Sequence, residues 1–198
     1  MGKARQPIEI NVIAATAQDV TQHFELQKES QRLLTAAQTP ADFLQILRDN
    51  SHHQDAVIFL AHALPIRDAV WWACMCAREH LDNCGEQYRQ ALTAAEAWVR
   101  EPTEENRRKA EKEAEAGNYA TPASWAAAAA FWSGDNIAPA AEAAMEPPAG
   151  LHAQAAGAAI VMSAGLEMPP EEIVVERYRR YLQQGIDIAN NGSLPVND

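Results

Sequence analysis

The side chains of this sequence that could do chemistry are its six histidines and three cysteines. Cys74 and Cys76 are two residues apart in a predicted helix, so their side chains diverge by about 200° and do not form the Cys-x-x-Cys spacing of redox or zinc sites. His52 and His53 are neighbours in a first helical turn and point in different directions, which favours surface or capping roles. This spacing predicts buried structural thiols and no metal site.

Longer catalytic and cofactor-binding motifs do not occur in the sequence. No glutamate precedes a histidine by three residues, as di-iron helical bundles require. There is no HExxH zinc motif, no P-loop, no GxGxxG turn and no GxSxG nucleophile elbow. His62 could line a pocket, although a single histidine on an apolar helix face more often belongs to a core. We therefore predict no catalytic residue, no metal, no cofactor and no enzymatic activity.

The most unusual segment is LPIRDAVWWACMCAREHL at residues 64–81, which holds two adjacent tryptophans. On a helical wheel, five apolar residues share the face that we expect to be core: Ile66, Val70, Ala73, Ala77 and Leu81. Trp71, Trp72 and Met75 lie on roughly the opposite side. The middle of the helix is therefore apolar all round, which is typical of a buried central helix.

The tryptophan face also supports two other interpretations. Tryptophan and methionine are common in grooves that receive an apolar segment of another protein. Arg67, one turn before Trp71, could stack on its indole or pair with a carboxylate. A dry pocket between the Trp72 helix and the Trp132 helix would instead hold a small molecule. The candidate partner-binding residues are Arg67, Trp71, Trp72, Met75 and Trp132.

Helical patterns cover nearly all of the chain after PIEINVI at residues 7–13, whose alternation predicts a strand or an extended arm that could pair with a partner. Capping signals such as Thr39-Pro40 and Asn83-Cys84-Gly85 mark helix starts and ends. The predicted helices span 16–24, 27–37, 40–50, 52–64, 66–83, 86–100, 105–117, 122–132, 151–165 and 171–191, with one further turn at 139–145. The fold class is all-α. We expect a multi-helix bundle of about 8–10 helices with short connections, in which the helices could stack as hairpins.

The length and charge of the chain narrow its function. A chain of 198 residues can bury a core without disulfides or metal, and we divide it into an arm (1–15), one helical domain (16–192) and a flexible tail (193–198). The net charge of −11 argues against nucleic-acid binding. The apolar stretch at 153–166 is too short to span a bilayer, and the N-terminus has no signal-peptide core. We expect a cytoplasmic protein with no membrane insertion.

The segment LPIRDAVWWACMCA, followed by alanine-rich helices with Trp125 and Trp132, resembles a family of small helical bacterial proteins of unknown function that belong to type VI secretion gene clusters. The resemblance covers 64–77 and the alanine-rich character of 123–166, and it carries over no functional residue. It implies a non-enzymatic accessory role, as an adaptor or chaperone for a secretion effector or spike component. An immunity protein that neutralises a toxin and a small-molecule sensor are alternatives. The acidic charge would suit a basic protein partner, and a homo-oligomer is also open.

Overall fold

A computed structural model describes residues 8–12, 14–138 and 143–192, which form ten α-helices and no β-strand. The helices are α1 (Ala17–Val20), α2 (Lys28–Gln31), α3 (Pro40–Asp49), α4 (His53–Ala63), α5 (Ile66–Arg78), α6 (Glu86–Arg100), α7 (Glu104–Ala116), α8 (Pro122–Phe131), α9 (Leu151–Gly165) and α10 (Glu171–Asn191). Short 3-10 turns at Thr21–His23 and Leu81–Asn83 follow α1 and α5. The predicted all-α bundle is confirmed.

Threonine caps and proline set several of the helix starts. Thr39 accepts a hydrogen bond from the backbone N–H of Asp42 at 3.1 Å, and Pro40 occupies the first helical position, where its missing N–H is not needed. Thr121 and Ser124 form a reciprocal capping box at the start of α8. The helices α6 and α9 begin and end where the sequence predicts.

Three helices form the centre of the bundle: α5, α8 and α9. The helix α5, which carries Trp71 and Trp72, packs against α6, α8, α9 and α10, so its predicted central position is confirmed. The helices α8 and α9 pack closely because their facing side chains are small, and Ala126 through Ala130 are completely buried. Gly157 of α9 lies against Ile58 of α4, since an added Cβ would come within 2.5 Å of the Ile58 Cδ1 atom.

The predicted helix at 27–37 is wrong beyond its first turn. The helix α2 covers only Lys28–Gln31, and the chain then turns away. The side-chain amide of Gln38 accepts a hydrogen bond from the Thr35 N–H at 2.8 Å and donates one to the Leu33 carbonyl at 3.0 Å. These bonds satisfy backbone groups that a longer helix would otherwise pair.

Gly85 and Ile66 also differ from the prediction. Gly85 has φ −72° and ψ 175°, so it is an extended N-cap of α6 and not a left-handed end of α5. Ile66 is 40 % exposed and does not belong to the core face, because the start of α5 projects from the bundle, with Pro65 and Arg67 exposed beside it.

The described part of PIEINVI, residues 8–12, forms no strand. Ile8, Ile10 and Val12 pack against the core, and the side chain of Asn190 donates a hydrogen bond to the Glu9 carbonyl at 2.8 Å. Of the predicted turn at 139–145, residues 139–142 lie outside the described residues and 143–145 are not helical. No helix in the described parts of the chain is both long enough and apolar enough to cross a membrane.

Candidate functional site

Trp72 lies in the core, so its predicted place on a partner-binding face is wrong. Its side chain is completely buried, and its indole N–H donates a hydrogen bond to the Tyr181 carbonyl of α10 at 2.9 Å. The ring lies directly on Gly185, where an added Cβ would come within 2.7 Å of the indole. The glycine in α10 therefore provides the space that Trp72 fills.

Arg67 caps a neighbouring helix, and within the described parts of the chain it neither stacks on Trp71 nor pairs with a carboxylate. Its guanidinium donates hydrogen bonds to the carbonyl oxygens of Val99 at 2.5 Å and Arg100 at 3.3 Å. These carbonyls belong to the last turn of α6, which carries the partial negative charge of a helix C-terminus. The role of Arg67 in the structure is to join the start of α5 to the end of α6.

Trp71 and Met75 are partly exposed and form what we call the α5 strip, the part of α5 that faces solvent. Both side chains also touch the core. Two ion pairs join the same side of α5 to α6 and to α10: Arg78–Glu96 and Glu79–Arg180. The strip is thus a narrow apolar surface with fixed charged edges.

Trp132 belongs to a cluster of three partly exposed aromatic rings that we call the aromatic cluster: Tyr119, Trp125 and Trp132. The ring centroids of Trp132 lie 6.0 Å from those of both Tyr119 and Trp125, and Tyr119 and Trp125 are 5.9 Å apart. Tyr119 is stacked on Trp132 with an interplanar angle of 15°, whereas Trp125 meets Trp132 edge to face. These distances place all three rings in mutual contact.

The α7–α8 turn delivers Tyr119 to this cluster. Asn118 and Tyr119 both adopt left-handed backbone conformations, with φ 49° and 53°, and the Tyr119 N–H donates back to the Ala114 carbonyl at 3.3 Å. A tyrosine in this conformation carries a cost of about 1–2 kcal/mol. Gly117 lets the two helices approach, since an added Cβ would lie 2.9 Å from the Ser124 Cβ. The contacts of the Tyr119 ring with Trp125 and Trp132 offset the cost of this left-handed backbone.

The sequence predicts Trp132 as a site residue but not Tyr119 or Trp125. The spacing of seven residues between Trp125 and Trp132 places both on one face of α8, and this signal was available. Tyr119 joins them only because the turn is left-handed at two residues other than glycine, which no sequence pattern announces.

The aromatic cluster lies beside an acidic helix end. The last turn of α7 contains Glu113 and Glu115 and no basic residue, against the usual preference for cations at a helix C-terminus, and Lys112 directly precedes that turn. Glu111 accepts a hydrogen bond from Arg108 at 2.9 Å, and Glu113 accepts one from the Gln87 amide at 3.1 Å. Burial raises the pKa of Tyr119, and the charges of Glu115 and Glu111 raise it further. The aromatic cluster therefore sits in a negative field.

A cleft of about 360 Å³ between α1, the end of α4 and the start of α9 is lined by three histidines, His23, His62 and His152. The ring of His62 stacks on Phe24 with centroids 4.4 Å apart, and its Nε2 atom is buried without a hydrogen-bond partner among the described residues. Burial lowers the pKa of His62 to about 4 and also lowers the pKa of His152. Both rings are therefore neutral at pH 7. Gly150 has φ 77° and leaves room for the His62 ring.

A second cleft, of about 460 Å³, lies between the start of α4 and the first half of α10. The His53 ring stacks on Tyr178 with centroids 5.9 Å apart, and the Nδ1 atom of His52 lies 2.7 Å from the Ser30 hydroxyl. Asp55 accepts a hydrogen bond from the Gln27 N–H at 3.3 Å. These contacts join the N-terminal segment to α4, which is a structural role.

The cysteines give no reactive centre. Cys74 and Cys76 are completely buried, and burial raises the pKa of both thiols. Such thiols stay protonated at neutral pH and are poor nucleophiles. Within the described ranges, no group of three or more histidine, cysteine, aspartate or glutamate residues is arranged to hold a metal ion.

The comparisons with known proteins bear on the same region. The family of unknown function DUF6931 matches residues 43–189, from the first turn of α3 nearly to the end of α10. The chain belongs to this family. The DUF6931 region contains both the α5 strip and the aromatic cluster, and it excludes the N-terminal segment with α1 and α2. Comparison with curated proteins and with solved structures found no match.

Proposed function

We propose that the protein binds another protein without catalysing a reaction, and that the aromatic cluster is its contact surface. The observation that carries this proposal is three aromatic rings that contact one another and remain partly exposed. Tryptophan and tyrosine are the residues that most often anchor protein interfaces. An immunity protein would present an acidic patch with no apolar centre, whereas here the acidic end of α7 borders an aromatic one, which supports an adaptor or chaperone.

We further propose that the partner is an effector or spike component of a type VI secretion system, and that the protein acts in the cytoplasm. This step rests on the resemblance of residues 64–77, because the family match carries no function. The α5 strip supports it in one respect. An adaptor needs two surfaces, and Trp71 and Met75 provide an apolar surface on a different helix from the aromatic cluster.

The test is co-purification of the tagged protein from its native cells, identification of bound proteins by mass spectrometry, and measurement of affinity with each purified partner. We expect Trp132→Ala to weaken binding at least about tenfold, as truncation of an interface anchor does. Met168→Ala is the matched control, because Met168 is a large apolar side chain that is 93 % exposed on the α9–α10 turn.

The outcomes separate the alternatives. Equal affinity of the Trp132→Ala and Met168→Ala variants for the purified partner would remove the aromatic cluster from the interface. Loss of binding in Trp71→Ala alone would move the contact to the α5 strip. A partner that is a toxin, inhibited on binding, would establish the immunity function in place of the adaptor.

A small-molecule sensor is a second candidate function, and the cleft lined by His23, His62 and His152 favours it. The cleft of about 360 Å³ lies within the size range of small-ligand sites. The cleft combines small apolar residues with three histidines, of which His62 is neutral and has a buried Nε2 atom without a hydrogen-bond partner among the described residues. This cleft is a better candidate than a space between the Trp72 and Trp132 helices, because α5 packs against α8 and Trp72 is completely buried against α10. Native mass spectrometry of the protein from its own cells would reveal a retained ligand, and a His62→Phe variant should lose it.

A further inference from the structure

We propose that the aromatic cluster receives an arginine side chain of the partner, with the guanidinium stacked on the partly exposed ring of Trp132 and with Glu115 as its counter-ion. This inference rests on the proposed function and specifies the chemistry of its contact. Four properties of the described residues support it: ring packing, ring exposure, the charge of α7 and the arrangement of two arginines nearby.

The ring packing favours a flat cation. Tyr119, Trp125 and Trp132 contact one another with centroids 5.9–6.0 Å apart, so they leave no enclosed space between them. A quaternary ammonium group is recognised inside an open aromatic cage, which this cluster does not form. A planar guanidinium can instead stack on the outer face of a ring. The exposed surface therefore matches arginine better than methylated lysine.

Glu115 in the last turn of α7 is the acidic group that matters for the proposal, and Lys112 lies one turn before it on the same helix. Glu111 and Glu113 have side-chain partners in Arg108 and Gln87, whereas Glu115 is exposed and forms no ion pair with any described residue. The carbonyl end of the helix adds partial negative charge in the same place. A cation from outside would complement this field, and the net charge of −11 would attract a basic partner from a distance.

The protein already contains guanidinium–aromatic contacts at the neighbouring end of α8, where Phe131 and Arg107 are buried. The guanidinium carbons of Arg107 and Arg108 lie 5.2 and 5.5 Å from the centroid of the Phe131 ring. Both arginines are also held by Glu104, so they do not occupy the aromatic cluster. The geometry that we infer for the partner thus has an intramolecular counterpart at the end of α8.

The probe is the peptide acetyl-Ala-Arg-Ala-amide, titrated into the full-length protein while the indole N–H signals of Trp125 and Trp132 are followed by NMR. Trp→Phe variants assign the two signals. The citrulline peptide, which has the same shape without the charge, and the trimethyl-lysine peptide are compared. We expect the arginine peptide to shift the Trp132 signal and to bind about 2–5-fold more tightly than the citrulline peptide.

Glu115→Gln should weaken the arginine peptide about 2–5-fold, as expected for loss of one exposed counter-ion. Glu105→Gln is the matched control, because Glu105 is an exposed glutamate in the first turn of the same helix. Equal affinity for the citrulline and arginine peptides, tighter binding of trimethyl-lysine, or no shift at Trp132 at millimolar peptide would each overturn the inference. If the natural partner still needs Trp132 in that case, the proposed function stands and only its arginine chemistry fails.

Discussion

Trp72 of α5 and Trp132, which follows α8, are two tryptophans in opposite environments. Trp72 is completely buried, lies on Gly185 and donates its indole N–H to a backbone carbonyl of α10. Trp132 is partly exposed and contacts two other aromatic rings on the surface. One tryptophan holds helices together, and the other is available to a partner.

The difference comes from the facing element and not from the tryptophan-bearing helix. Trp72 is buried because Gly185 of α10 leaves space for its indole ring. Trp132 is only partly buried against the core, and Tyr119 and Trp125 are the described aromatic residues that contact its ring. A tryptophan is therefore a core residue or a surface anchor according to what the neighbouring helix supplies.

The largest expected effect separates the two tryptophans by stability. Trp72→Ala should lower the free energy of unfolding by about 3–5 kcal/mol, because it leaves a cavity in the core and removes the buried hydrogen bond to the Tyr181 carbonyl. Urea denaturation followed by circular dichroism measures this change. A loss below about 1.5 kcal/mol would mean that the core collapses around the site and that Trp72 is not a structural centre.

A second buried side chain extends the comparison to pH. The fold lowers the pKa of His62 to about 4 from its ordinary 6.5, so the unfolded chain takes up a proton at a higher pH than the folded one. Stability is complete above pH 6.5 and should fall by about 3 kcal/mol as the pH drops from 6.5 to 4. Urea midpoints measured across this range test the prediction.

The His62→Asn variant is the control for this pH dependence. It removes one titrating ring while His53, His80 and His152, whose pKa values are also lowered, remain. The variant should show a shallower decline with acid, by up to one proton. An unchanged slope would show that His62 is accessible to protonation in the folded protein.

Gly185→Ala tests directly why Trp72 is buried. The new Cβ would lie 2.7 Å from the indole and 2.8 Å from Leu60, so overpacking should cost about 1–3 kcal/mol. Alanine recovers about 1 kcal/mol of helix propensity, which leaves a net loss of up to about 2 kcal/mol. Gly165→Ala is the matched control, because no atom lies within 4 Å of its added Cβ, and it should be neutral or stabilising.

The smallest expected change in stability belongs to the surface cluster. Trp132→Ala removes two aromatic contacts from a partly exposed site and should cost about 1 kcal/mol. The same variant is expected to lose the partner, so binding and stability should separate for Trp132 and move together for Trp72. A loss above about 3 kcal/mol on Trp132→Ala would place this residue in the core with Trp72.

The sequence was sufficient to predict the helices whose ends carry local chemistry. Proline and glycine bound α6, α8 and α9, and the structure ends these helices at or next to the predicted residues. The prediction failed where a side chain captured the backbone, as Gln38 does after α2. It also failed at Gly85, because a glycine can start a helix as well as end one.

The candidate site was predictable only in part. Trp132 was named, and the seven-residue spacing would have added Trp125. Tyr119 could not be predicted as a site residue, because its position depends on two residues with left-handed backbones that the ring contacts help to hold. The helical wheel placed Trp71 and Trp72 on one face, but a difference of about 100° between neighbours is enough for one to meet α10 and the other to meet solvent.

The buried residues of α10 all lie in its second half, so the two halves of this helix differ in how firmly they are held. Every buried residue of its 21 lies at Tyr181 or beyond, whereas the ten residues before it are exposed or half-buried and are held by surface contacts such as those of Arg177 and Arg180. Backbone amides of the second half should exchange with deuterium only when the whole domain opens, whereas those of the first half should exchange through local fraying. The helix is thus anchored at one end, and its first half can unwind and reform while the core around Trp72 stays closed.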